Sequence, residues 1–202
     1  VTFRFEAEIT EIDDPDGIGS TLPFDLALGQ TVLGKVTFTP VAFGQTSAPD
    51  GRLEIHVGGE SFAANELPLV TQNDVYVDAG TNVEGPFDRI WIACDQPAGC
   101  AVTESTNADI TLAHVGLVAN SHDFDVSPIA PDVLLVGTDV ATPEVWNSLP
   151  YRLLAFELAT SPNKSPITVT AAVGPMGLIP EPSTIMLTGA LVVWSIGVRR
   201  RV

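Results

Sequence analysis

The chain has 202 residues, enough for one domain and a C-terminal segment, and its 45% apolar content supplies a core and excludes global disorder. Its charge is lopsided: 25 acidic residues face 9 basic ones, a net of −16 at neutral pH. Such a surface repels nucleic acid and anionic lipid headgroups, so no nucleic-acid partner is expected, and it attracts divalent cations.

Thr2 to Ile12 alternates in character. Phe3, Phe5, Ala7 and Ile9 share one face, and Thr2, Arg4, Glu6, Glu8 and Thr10 share the other, the pattern of a half-buried strand. Asp13-Asp14-Pro15-Asp16-Gly17 then turns the chain. Asp13, Asp14 and Asp16 offer oxygen ligands, which makes calcium a candidate cofactor. A solvated acidic turn is the competing reading, since Ile18 stands where a further ligand should be and no glutamate closes an EF-hand loop.

Gln30–Pro40 reads as a second strand, with Val32, Gly34, Val36 and Phe38 on one face. The segment Gly29-Gln30-Thr31-Val32-Leu33-Gly34-Lys35-Val36 nearly matches a phosphate-binding loop. It fails at Val36, where a hydroxyl should reach magnesium, and it runs on as a strand where a helix should begin. Arg52–Val57 and Glu60–Ala64 flank Gly58-Gly59 and are expected to form a hairpin. Asp74–Asp78, Arg89–Cys94, Asp109–Val118 and Val133–Val136 are shorter strand candidates. A short helix is expected around Thr142–Leu149, with Pro143 in its first turn. Pro150 and Pro166 introduce the last two strands, Tyr151–Leu158 and Ile167–Val173.

Short strands between Gly, Pro, Asn and Asp turns predict an all-β fold, a jelly-roll-like β-sandwich, followed by a C-terminal hydrophobic helix. The expected organisation is a β domain over 1–174, a linker over 175–182, a membrane-crossing helix over 183–198 and a basic tail over 199–202.

No residue pattern in the body assembles a catalytic site. There is no Gly-x-Ser-x-Gly elbow and no His-Glu-x-x-His, and His56, His114 and His122 have no Ser or Cys signature beside them. His122-Asp123-Phe124-Asp125 is a weak metal candidate. Cys94 and Cys100 bracket a turn-prone segment, so a local disulfide is favoured over two free thiols, and the spacing is wrong for a Cys-x-x-Cys redox motif. Among aromatics, Trp91 and Tyr76 are weighed as sugar contacts, but Trp91 sits in an Ile-Trp-Ile run and reads as core. Trp146, in a loop-like stretch, is the preferred sugar-contact candidate. The body is therefore read as non-enzymatic, with a carbohydrate-binding module and a secreted polysaccharide hydrolase as alternatives.

The C-terminal stretch is the most specific part of the chain. Pro180 and Pro182 break the chain, Ser183 can cap a new helix, and Ser183–Val198 carries no charge. Sixteen helical residues rise about 24 Å, short of a hydrocarbon core of about 30 Å. Arg199, Arg200 and Arg201 would stay cytoplasmic and orient the body to the other side. A buried C-terminal helix is the competing reading.

Pro180-Glu181-Pro182, the apolar run and the arginine cluster together resemble the PEP-CTERM sorting signal of Gram-negative envelope and extracellular proteins. The resemblance covers only the residues from Ile179 on. It implies that Pro180, Glu181 and Pro182 are recognised by an exosortase-type membrane enzyme. It also implies that Arg199–Arg201 stop and orient the chain, and that the protein ends at the cell surface or in extracellular polysaccharide. It implies an address and no activity for the body. An export signal upstream of Val1 is expected on the same grounds. Without Glu181 and the three arginines the body keeps 24 acids and 6 bases, a net of −18.

Overall fold

The computed structural model of the chain describes residues 1–42, 45–77, 84–94, 100, 102–121, 140–161 and 163–179. Among them the order is β1 (Thr2–Asp13), a 3-10 turn (Ile18–Thr21), β2 (Thr31–Thr37), β3 (Gly51–Val57), β4 (Glu60–Leu67) and β5 (Leu69–Val77). There follow β6 (Glu84–Ala93), β7 (Val102–Ser105), β8 (Thr111–Asn120), α1 (Pro143–Ser148), β9 (Tyr151–Ala159), β10 (Ile167–Val173) and β11 (Gly177–Leu178). The all-β expectation holds.

The strands pair antiparallel in one sheet, ordered β5-β6-β8-β9-β10-β1-β2-β3-β4-β7, with β11 beside β1. A jelly-roll-like sandwich would need two separate sheets. Hydrogen bonding here runs unbroken along the whole path, and the sheet curls into a half-barrel. The reason lies at Pro68. β4 and β5 are one stretch of chain interrupted only by that residue, yet they lie near opposite ends of the path. A segment that leaves one margin and enters the other holds the two margins together. The corner is marked by a bulge, in which one extra residue of β4 lies between the pairs Gly51↔Leu67 and Leu53↔Ala64. Glu66 in that bulge takes a left-handed φ of 59°.

Alternation decides which face is buried. Phe3, Phe5, Ala7 and Ile9 of β1 point inward and are at most 3% exposed. Leu53, Ile55, Phe62, Ile90, Ile92, Val115, Leu117, Leu154, Phe156 and Val169 complete the same core from the other strands. Each such side chain contributes about 1.5–3 kcal/mol by leaving water. Gly58 and Gly59, with φ of 61° and 88°, form the two-residue turn between β3 and β4, and Val57 pairs with Glu60 as the sequence predicts.

Both sheet margins are protected. Along β5, Ser47 N–H donates to the Leu69 carbonyl (2.8 Å) and Thr71 N–H to the Gln45 carbonyl (3.0 Å), so the segment at 45–47 covers the start of that edge. β7, at the other margin, is short and carries Glu104. The helix α1 begins at Pro143, as expected, and closes the end of the core where Phe3 and Phe38 sit. β11 and Ile179, whose N–H donates to the Thr2 carbonyl (2.9 Å), lie along β1.

The strand candidate Val133–Val136, the cluster at His122, Asp123 and Asp125, and the tail from Pro180 through Arg201 lie outside the described residues. Among the described residues no helix is long and apolar enough to cross a membrane.

Candidate functional site

The outer face of the sheet is divided in two. Among the described residues it is charged on β1, β2, β3, β4 and β7, whereas β6, β8, β9 and β10, with Val70 of β5, carry an apolar patch.

The apolar half follows from register. Val70 pairs with Trp91, Trp91 with Val118, and Val118 with Leu153, so large side chains form one row across four strands, which ends on the small Ala172 of β10. Two residues further along each inner strand, Ala93, Gly116, Ala155 and Thr170 form a row of small ones. A tall row beside a low row makes a groove. Its volume is about 700 Å³, and Pro68, Cys94 and His114 also line it. A third row, His114, Glu157 and Thr168, is polar.

Trp91 is the aromatic wall. The Arg89 guanidinium sits 5.7 Å from its ring centroid, within cation–π range. The Arg89 side chain also donates to the Asn120 Oδ1 (3.0 Å), and its partial burial lowers its pKa from the ordinary value. Opposite, His114 Nε2 is buried and has no hydrogen-bond partner among the described residues. An unsatisfied buried nitrogen costs about 1–3 kcal/mol. Cys94 and Cys100 form the expected disulfide, with Cα atoms 4.8 Å apart. Their amides donate to the Val115 and Ala113 carbonyls, which pins the bridge to β8 beside the groove.

No family model, curated protein or solved structure matches this chain. The site is therefore read from its chemistry alone. A groove with one apolar aromatic wall and one polar wall suits an amphipathic, uncharged ligand.

This arrangement reverses the two tryptophan expectations. Trp146 is fully buried in α1, edge-on to Phe3 (6.3 Å) and tilted against Phe38 (5.8 Å). Its indole N–H donates to the Val140 carbonyl (3.1 Å), so it is a core residue and cannot meet a sugar. Trp91 faces outward because period-two alternation sends it away from its buried neighbours Ile90 and Ile92.

The acidic turn is bonded within the protein. Asp14 accepts from the amides of Ile18 (2.8 Å) and Gly19 (2.9 Å), Asp16 accepts from the Ser165 amide (2.7 Å), and Asp13 pairs with Thr168 at the end of β1. Among the described residues no three His, Cys, Asp or Glu side chains are grouped to hold a metal. The near match to a phosphate loop is strand from Thr31 on, as its alternation predicts.

The charged half carries a second constellation, which sequence inspection missed. Arg52 donates to both oxygens of Glu104 (2.8 and 2.9 Å) and to Asn65 Oδ1 (2.6 Å), and more distantly to Glu54 (3.4 Å). These hydrogen bonds hold the Glu104 carboxyl down at about 2, with the Asn65 amide adding to the effect, and Arg52 is itself raised. Glu54 Oε1 is 3.1 Å from His56 Nε2, and His56 Nδ1 is 2.6 Å from Ser61 Oγ. The signal was present: a two-residue turn at Gly58-Gly59 places residue 56 opposite 61.

Proposed function

We propose that this chain is an exported, non-enzymatic envelope or extracellular-matrix protein, sorted through a PEP-CTERM-like tail that an exosortase-type enzyme processes. The observation that carries this reading is the order of parts at the C-terminus: Pro180-Glu181-Pro182, an uncharged run over 183–198, then Arg199-Arg200-Arg201. In this reading the prolines and Glu181 are the recognition element. The run is a transient membrane segment, and the arginines fix a cytoplasmic C-terminus. The Cys94–Cys100 disulfide fits an oxidising compartment. Deleting 183–202 tests the proposal. The truncated protein should fail to reach the cell surface or medium, and intact-mass measurement of the full chain from a host with the enzyme should show a C-terminus trimmed near Pro182. Unchanged surface display of the truncated protein overturns it.

A second reading is favoured by the outward Trp91: the body binds a neutral polysaccharide in the groove. Sugar rings present a C–H face that stacks on indole and hydroxyls that hydrogen-bond to a polar lining residue such as Thr170. The protein's net charge of −16 disfavours acidic polymers. Affinity electrophoresis through gels of neutral and acidic polysaccharides should show retardation in the neutral gel alone, lost in Trp91→Ala. Equal mobility of both proteins in every gel overturns it.

A further inference from the structure

The hairpin of β3 and β4 carries a relay that neither reading uses. His56 and Ser61 are directly opposite each other, and Glu54 lies two residues before His56 on the same outer face. The Ser61 hydroxyl is 2.6 Å from His56 Nδ1, and His56 Nε2 is 3.1 Å from Glu54 Oε1. An ionised carboxylate can only accept, so Glu54 requires the proton on Nε2. The Nδ1 lone pair is then left to accept from the Ser61 hydroxyl. Glu54 is steadied by Arg52, which Glu104 and Asn65 clamp in turn. The His56 side chain is 43% exposed, so the relay opens to solvent.

We propose that Ser61 is an acyl-acceptor nucleophile, activated by His56 and able to take one acyl group from an activated ester or thioester. As Oγ attacks the carbonyl carbon, its proton passes to Nδ1. The Oγ–C bond forms, the C–O or C–S bond to the leaving group breaks, and the leaving group departs with that proton. The product is an ester on Ser61. It persists because the serine alkoxide is a far poorer leaving group than that of an activated ester or thioester, and the Ser61 amide, which already donates to Thr106 Oγ1 (2.9 Å), offers no oxyanion stabilisation to offset this. Glu54 is a positioning residue, acting through His56.

The test uses the full chain and p-nitrophenyl acetate. Nitrophenolate should be released in a burst of one equivalent per chain, and peptide mass spectrometry should place the acetyl group on Ser61. Its rate should exceed that at Ser20 and Ser105 by roughly 10²-fold or more, the range of general-base assistance. Ser61→Ala should abolish the burst. His56→Gln should reduce it to the level of the other serines with the thermal midpoint retained. Glu54→Gln should slow it and remove the Nε2–H tautomer from the nitrogen NMR shifts of His56, a signature that loss of packing alone would not produce. Acetylation spread evenly over serines overturns the proposal, as does a burst that survives His56→Gln. Continued turnover beyond one equivalent overturns the persistent ester. The site map on the native chain decides the matter even where a variant fails to fold.

Discussion

Replacing Gly34 by alanine tests how β1 and β2 pack. Gly34 is directly opposite Phe5, and both belong to the inner face. A Cβ added at Gly34 would lie 2.0 Å from Phe5 Cζ and 2.2 and 2.6 Å from the two Cε atoms, so the ring tip covers the glycine. Carbon atoms prefer a separation of about 3.5–4.0 Å, so the ring would have to retreat by roughly 1.5 Å. Phe5 is 3% exposed and packed in the hydrophobic core. Overpacking of this kind costs about 1–3 kcal/mol. Relief of glycine's backbone entropy returns about 0.5–1 kcal/mol, so a net loss of about 1–2 kcal/mol is expected. Urea denaturation should report it as a lower midpoint at unchanged slope. Phe5→Leu shortens the side chain, so in the double variant the alanine should cost less than it does alone, with a coupling of at least about 1 kcal/mol. Additivity within about 0.5 kcal/mol would refute the packing argument. So would a Gly34→Ala protein as stable as the parent.

The two tryptophans should part company. Trp146→Ala should cost about 3–5 kcal/mol in urea melts, and Trp146→Phe about 1–2 kcal/mol through the lost bond to Val140. Trp91→Ala should change stability by less than about 1.5 kcal/mol, since it lines an open groove. The Arg52–Glu104 pair predicts a pH effect of definite sign. The Glu104 carboxyl sits at about 2 when folded, below its ordinary 4.5. Its stabilising contribution is therefore fully present above the ordinary value and is lost as pH falls through about 2. Thermal midpoints of the parent and Arg52→Met should converge over that window, by a small amount because the pair is exposed. Reducing the Cys94–Cys100 bridge, a separation of six residues, should lower stability by about 2 kcal/mol on loop entropy. Equal urea midpoints with and without reductant would contradict it.

Much of the fold was legible because alternation is a strong signal where one face is buried. β1, β3 and β10 read cleanly from Phe3-Phe5-Ala7-Ile9, Leu53-Ile55-Val57 and Ile167-Val169-Ala171. β7 was missed because its side chains are mostly exposed and do not alternate, so pairing with β4 alone defines it. The curl was not legible, since nothing in Leu67-Pro68-Leu69 tells a corner from a turn. Trp91 was misread because a run of three large apolar residues resembles core, although period-two spacing already sends the middle one outward. Trp146 was misread because six residues are too few to display a helical period. The Ser61–His56–Glu54 relay escaped because it is assembled across a hairpin, and short linear motifs do not capture cross-strand pairs.

The position of β1 has a consequence for how the chain matures. The first of the described strands is central in the sheet and needs the last described ones as partners, with Ala7 beside Val173 and Phe3 beside Leu178. Such distant pairings fold slowly, because ring closure over most of the chain precedes any gain from contact. A nascent chain can form the β1–β2–β3–β4 meander early, yet it leaves one long edge of β1 unsatisfied until residues 167–178 emerge. The domain is thus locked by its final strands, immediately before Pro180. A cut beyond Pro180 would remove none of the pairings described here, whereas a chain stopped before residue 167 would expose the whole β10 side of its first strand.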